Sequence, residues 1–378
     1  MTLADLGATV IKVESLEGDD TRTWGPPFIR ADDASISAYF ACTNRNKQSI
    51  AVDLKHPEGL ALVQKLAAQA DVVVENFKTG GAEKLGLGYD ALKALNPKLV
   101  YCSISGYGRT GPWKDKAGYD FIIQAEGGVM SITGPEDGTP FKVGVAIADI
   151  TTGMNATMAI MAALIARGRT GEGQHIDISL FESQLQWLAN VASNSLFTGN
   201  DAKRWGNAHP NIVPYQAFAA QDGWFALAVG NDGQWAKLCT LLGKPEWAAK
   251  NSPYATNPQR VQNRKDLIPQ LTAVFATQPI THWLTALDPL GVPCGRVNSV
   301  AQALDHAVTA ARGLRQTMAH PAGMNIPVLG SPLHLSQTPV HYHSAPPLTG
   351  QHTAEILKAH LGLDAGQIAA LQTQGVVK

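Results

Sequence analysis

The sequence predicts an α/β protein: a large parallel-sheet domain followed by a smaller α+β domain. Three observations carry this. Short apolar runs alternate with segments of helical spacing through the first half of the chain, as in Ser49-Ile-Ala-Val-Asp53, Asp71-Val-Val-Val-Glu75 and Leu99-Val-Tyr-Cys-Ser-Ile104. Strands separated by helices build parallel sheets buried on both faces. The composition then turns polar, with Gly, Asn and Pro, over Thr198–Pro214, which marks a linker. Beyond it, Gln216–Val229 with Asp222-Gly223 at its centre reads as a hairpin followed by short helices.

The elements follow in order. Leu3–Leu6 reads as the last turn of a helix stopped by Gly7, so a strand and half a helix are expected upstream of it. Ala8–Val13 is a strand. Pro57 opens a helix over Glu58–Ala70 with Leu60, Val63 and Leu66 on one face. Tyr89–Leu95 is helical, and so is Thr152–Ala166. Gly168–Gly173 is a turn, Gln174–Ser179 a strand and Leu180–Phe197 a helix. Helices are expected at Gln234–Leu242, Arg264–Phe275, Ile280–Leu287 and Val300–His306. Hairpin strands over Ala319–Ser336 and helices at Gly350–Gly362 and Asp364–Gln374 return the chain to the first domain. The expected boundaries are 1–200 for the large domain, completed by 325–378, with 201–214 as linker and 215–320 as the small domain.

Bulk properties narrow the function. The 378 residues are 45% hydrophobic and 16% charged, a globular composition. A net charge of -1 gives no field for nucleic acid or anionic lipid, so neither is an expected partner. Ile147–Ala166 has the length of a membrane span but holds Asp149, Gly153 and Asn155, and reads instead as a buried core helix. Cys42, Cys102, Cys239 and Cys294 form no CxxC pair, so reduced thiols, a cytoplasmic location and no metal site are expected. His341-Tyr-His343 reads as a solvated loop. The chain start lacks a basic segment followed by an apolar core.

No GxGxxG, GxxxxGK[ST] or HExxH pattern is present, and Ser103–Gly108 lacks the glycine spacing of a nucleophile elbow. Parallel sheets bind ligands at the carboxyl ends of their strands. Asn76-Phe77-Lys78 follows such a strand, and an amide, an aromatic ring and a cation suit a nucleotide; a surface loop is the plainer alternative. Lys55 and Lys84 lie one βα step to either side, and three lysines near strand ends suit a polyanionic cofactor such as coenzyme A. Asp149 falls at the expected N-cap of the Thr152–Ala166 helix, where the helix dipole favours its ionised form. A carboxylate held charged beside unpaired N–H donors can serve as a nucleophile; an isolated Asp before a helix is more often only a cap.

The chain resembles the class III coenzyme A transferases. The resemblance is carried by Ala4–Glu14, Asn44–Ile50, Val74-Glu-Asn-Phe-Lys78, Gly118-Tyr-Asp120, Asp149-Ile-Thr-Thr-Gly153, Gly168–Gly173 and Gly350-Gln-His-Thr353. It implies a Rossmann-like large domain, an interlocked-ring homodimer, and coenzyme A or acyl-CoA as substrate with no tightly bound cofactor. It also implies Asp149 as nucleophile, with Asn76, Phe77, Lys78, Lys55, Lys84 and Tyr119 lining the CoA and acyl site. Arg22–Pro27, Ala202–His209 and Ile212–Phe218 resemble members that handle dicarboxylates, so a donor such as succinyl-CoA and an acceptor such as glutarate are expected. The glycine-rich lid of formyl-CoA transferases is missing around Pro214–Asp222. A dicarboxylate needs a cation for its far end; Arg204 is the candidate, with Arg22 and Arg45 as alternatives, although Arg204 also reads as a plain linker residue. Tyr119 stands where racemases of this family hold a His base, which favours transfer over isomerisation. A racemase and an inactive CoA-binding homologue are the rival readings.

Overall fold

The structure is a computed structural model and describes residues 1–31 and 34–378. It divides into two compact units. One comprises Met1–Ile123, Ala146–Trp187 and Leu304–Lys378; the other comprises Gln124–Val145 and Leu188–Ala303. This division falls elsewhere than the expected boundaries. Residues 124–145 and the expected linker belong to the second unit because Arg204 donates to the carbonyls of Pro135, Ser131 and Gly138, and Val213 is buried in that unit's core.

In the first unit, β1 (Val10–Glu14), β2 (Phe28–Ala31), β3 (Ala34–Ser37) and β4 (Lys47–Ala51) come first. Strands β1 and β4 pair in parallel from Val10↔Lys47 to Glu14↔Ala51, and β2 and β3 form an antiparallel pair. A separate parallel sheet runs β5 (Val72–Glu75), β6 (Val100–Ser105), β7 (His175–Ser179). The parallel strands therefore form two hydrogen-bonded groups rather than one ladder. A shared core joins them: Ile50 and Val52 pack with Leu99, Tyr101, Leu62 and the C-terminal Ile356, Leu357 and Val376. Pro57 is the first residue of the Pro57–Gln69 helix, whose exposed Glu58 N–H is taken by His56 Nδ1 at 3.2 Å.

The long helix that precedes β7 spans Ile147–Thr170. Ala148, Thr152, Ala156, Ile160 and Ala163 form its buried face, and small side chains let it lie close on Cys102, Ile104, Ile176 and Ile178. Among the described residues it is the one helix long and apolar enough to cross a membrane. The sequence reads as a buried core helix; the structure buries one face and leaves Ile150, Met154, Met158, Met161 and Ile165 exposed along the other. The expected Leu180–Phe197 helix is broken into Leu180–Trp187 and Ala189–Thr198, because Ala189 takes φ 47°, outside the helical region.

The sheet of the second unit starts with the hairpin of β8 (Tyr215–Ala220) and β9 (Gly223–Ala228), turning at Gln221-Asp222 where Gly223 takes φ 142°. Strand β10 (Cys294–Arg296) adds antiparallel to β9. The inward faces bury Phe218 and Phe225 against Phe275, Trp235 and Trp283, each worth roughly 2–3 kcal/mol in burial. Arg260 is fully buried, donating to the Val213 carbonyl at 2.6 Å and to Asp232 at 2.8 Å. Back in the first unit, the hairpin strands are β11 (Arg315–Ala319) and β12 (Asn325–Leu329), with the turn at His320–Gly323.

Candidate active site

The chemistry centres on the start of the Ile147–Thr170 helix. Asp149 is its third residue, not the cap the sequence suggested; the cap position is Ala146, which has no side-chain acceptor. The capping bond comes from elsewhere. Asp120 Oδ1 accepts the Ala148 N–H at 2.8 Å. Thr151 and Thr152 return their hydroxyls to carbonyls of the same turn, at 2.8 Å to Ile147 and 2.6 Å to Ala148. The Asp149 side chain is exposed. Lost hydration and, after it, the negative charge of Asp120 push its carboxyl up to about 6. The expectation of a carboxylate favoured by the helix dipole is thus outweighed locally by desolvation and a like charge.

Tyr39 shares this field. It lies on the Ala38–Asn44 helix, capped by Ser37 Oγ accepting the Phe40 N–H at 3.0 Å. Its phenol is pushed above its ordinary value by burial first and by Asp149 second, and its ring meets Trp24 edge-on at 4.8 Å. Neither Tyr39 nor Asp120 was singled out from the sequence. The Ser37 cap signal before a helix, and the position of Asp120 next to Tyr119, were the available pointers.

The loop after β5 is held by its own last strand residue. Glu75 accepts the Phe77 N–H at 2.7 Å and pairs with Arg109 at 3.2 Å. Arg109 also pairs with Glu83, and its backbone N–H donates to Asp177 at 3.1 Å. Asn76, Phe77 and Lys78 are left exposed. Thr79 Oγ1 donates to the Lys114 carbonyl at 2.6 Å, tying this loop to the one that follows β6. In that second loop the Lys116 ammonium sits over Trp113 at 4.2 Å and Tyr107 at 4.9 Å. Its two ends close through Gly106 and Gly118, where a Cβ on either would lie 2.7 Å from the other's backbone. The loop then delivers Tyr119, 74% exposed, and Asp120. The structure therefore links Asn76–Lys78, Tyr119 and Asp149 through a continuous series of hydrogen bonds and chain. Lys84 ends the short Gly81–Lys84 helix of the first loop, whereas Lys55 rises from β4, in the other strand group. The ammonium groups of Lys55, Lys78 and Lys84 are exposed and make no ion pair among the described residues.

The three arginines are committed elsewhere. Arg22 grips Glu14 at 2.6 and 2.8 Å, donates to the Pro347 carbonyl at 2.8 Å and lies over Phe40. Arg45 is 2% exposed, bidentate to Asp5 at 2.6 and 3.0 Å, and bonded to the Leu329 carbonyl. Arg204 spends Nε, Nη1 and Nη2 on three carbonyls of residues 131–138. None offers the free guanidinium edge that a bidentate carboxylate contact requires.

A sequence model of the family described as CoA-transferase family III matches residues 1–353. The chain belongs to this family. It is a CoA-transferase, and CoA thioesters are its substrates. A relative from Agrobacterium fabrum, named succinate--glutarate CoA-transferase, is 49% identical over 94% of this chain and 89% of its own length. The mouse succinyl-CoA:glutarate CoA-transferase is 46% identical over 100% of this chain and 86% of its own. Among solved structures, a CaiB/BaiF family protein from Brucella suis superposes with a TM-score of 0.86 at 49% identity, covering 95% of this chain and 93% of that one. As a family III enzyme, this chain presents at one end of its β5–β6–β7 sheet an exposed carboxylate on a helix's first turn, and beside it two tethered loops with an exposed ring and exposed cations.

Proposed function

We propose that this enzyme moves coenzyme A from succinyl-CoA to a dicarboxylate such as glutarate, with Asp149 as nucleophile. The observation that carries it is Asp149 exposed on the first turn of its helix and free of hydrogen bonds among the described residues. Relatives of 46% and 49% identity named for the succinyl-CoA and glutarate pair support the substrates.

An Asp149 oxygen attacks the thioester carbonyl; the C–S bond breaks, giving a mixed anhydride and CoA thiolate. The thiolate attacks the aspartyl carbonyl, and the donor acid leaves as its carboxylate. The acceptor carboxylate attacks the aspartyl thioester, expelling thiolate and forming a second anhydride. The thiolate then attacks the acceptor's own carbonyl, giving the new acyl-CoA and regenerating Asp149. A carboxyl poised near 6 is about nine-tenths ionised at pH 7 and a stronger nucleophile than an ordinary carboxylate. Each attack builds an oxyanion, and one well-placed donor to it is worth roughly 3 kcal/mol.

Asn76, Phe77 and Lys78 bind the nucleotide end of CoA, with Lys55 and Lys84 against its phosphates and Tyr119 toward the acyl group. For the far carboxylate of the dicarboxylate, Arg204, with Arg22 and Arg45 as alternatives, would exchange a protein acceptor for the substrate. The working form is a homodimer of interlocked rings, which the exposed Ile150–Ile165 stripe supports. A cytoplasmic setting fits four free cysteines. The test is purified enzyme with succinyl-CoA and a panel of acids, read as new acyl-CoA by chromatography. Glutaryl-CoA formation is expected; CoA transfer confined to monocarboxylates would overturn the substrate assignment.

A further inference from the structure

Ala146 cannot cap the Ile147–Thr170 helix, yet a helix start with a bare N–H there is costly. An acidic residue at the third helical position commonly folds back onto the cap N–H to supply that need. Asp149 occupies that position and does not fold back; it accepts no hydrogen bond among the described residues. The Ala148 N–H, which a capping side chain at position 146 would ordinarily accept, goes to Asp120 Oδ1 at 2.8 Å, from a residue that directly follows Tyr119. We propose that Asp120 is a positioning residue of the transfer reaction: by supplying from outside the cap that Ala146 lacks, it fixes the first helical turn from which the unengaged Asp149 carboxylate meets the incoming thioester. The inference rests on Asp149 being the nucleophile.

Asp120 acts in two separable ways. Its oxygen fixes the first turn, and its charge opposes ionisation of Asp149. Among the described residues, Tyr39 on the Ala38–Asn44 helix feels the charge of both Asp149 and Asp120, with Cys42 of the same helix acting on Tyr39 between them. Asp120→Asn keeps an acceptor oxygen and removes the charge, whereas Asp120→Ala removes both.

The experiment measures kcat and KM from pH 5 to 9 for the full chain and both variants. It also measures trapping by hydroxylamine of the acyl or CoA adduct on the Asp149 peptide. Misplacing a reacting group by about 1 Å costs on the order of a hundredfold, so Asp120→Ala should lower kcat by about that factor with KM changed less than about threefold. Asp120→Asn should recover about tenfold of that loss and move the acid limb of kcat/KM to lower pH, because removing a like charge makes Asp149 easier to ionise. A merely structural Asp120 would leave that limb in place. Should Asp120→Ala fail to fold, the Asp120→Asn pH profile decides alone. An unmoved acid limb, or an adduct forming as fast in Asp120→Ala as in the parent, overturns the inference. No adduct in the parent enzyme would overturn the nucleophile assignment instead.

Discussion

Arg109 donates to Glu75 at 3.2 Å and pairs through its other terminal nitrogen with Glu83, so one guanidinium spans the two sides of the exposed Asn76–Lys78 loop. Glu75 is 9% exposed and also holds the Phe77 N–H. Replacing Arg109 with Met strands a largely buried carboxylate, at a cost of about 3 kcal/mol or more. The loop then loses its anchor. The expected result is a KM for acyl-CoA raised about tenfold, with kcat lowered less. Adding Glu75→Gln should recover much of the stability but not the KM. An unchanged KM in Arg109→Met, measured by initial rates, would show that the clamp has no part in binding CoA.

Asp149→Asn separates chemistry from stability. Transfer should fall by at least about ten-thousandfold, since an amide cannot form the anhydride. Stability should move the opposite way. The folded pKa of Asp149 is raised to about 6 from the ordinary 3.8, so ionising it costs more in the folded chain than in the unfolded one. The penalty is absent at pH 3.8 and below, grows through the interval, and is complete above 6. Because the group is exposed, the effect is small. The variant's melting temperature should exceed the parent's by roughly 1–2 °C at pH 8 and match it at pH 4. A gain of equal size at both pH values would point to something other than charge.

What the sequence revealed of the fold and of the site depended on how local each signal was. The runs at Val72–Glu75, Val100–Ser105 and His175–Ser179 are strands in which neighbouring residues carry the pattern. Pro57 marks a helix start by its own ring geometry. The exposed Asn76–Lys78 loop was legible for the same reason: it directly follows such a strand. The parts that were not legible are long-range. The cap on the Asp149 helix comes from 28 residues upstream, and Arg45 finds Asp5 across 40. An arginine considered alone looks available for a substrate; only folding shows that Asp5, Glu14 or the 131–138 carbonyls already hold it. The Ala189 break likewise has no glycine or proline to announce it.

His352 gives an acid-side expectation. Its Nδ1 accepts the Ser49 N–H at 3.2 Å, which needs the neutral ring, and burial is the main cause that lowers its pKa. A lowered His pKa means that the folded chain resists a proton the unfolded chain accepts. The stabilisation is therefore complete above about 6.5 and is lost as pH falls below that value toward the folded pKa. His175, also lowered chiefly by burial, adds to the same loss. His352→Gln should be less stable than the parent at pH 8 and show a shallower fall in melting temperature between pH 6.5 and 5. Parallel curves for the two proteins would rule out His352 as a contributor.

The exposed face of the Asp149 helix makes the oligomer testable. Ile150, Met154, Met158, Met161 and Ile165 recur with helical spacing and are 44–65% exposed, a continuous apolar stripe on the helix that carries the nucleophile. Burying such a stripe in a second copy removes apolar surface from water, at about 25 cal/mol per Å². A charge placed in its middle would have to be desolvated without a partner, costing several kcal/mol per site. In a two-fold interface each substitution counts twice. Light scattering should give twice the 40.2 kDa chain mass for the parent and the single-chain mass for Met154→Glu/Met158→Glu. Because the stripe and Asp149 share one helix, activity should fall with the dimer and return in part as protein concentration is raised. A double variant that remains dimeric, with activity independent of concentration, would move the interface away from this helix.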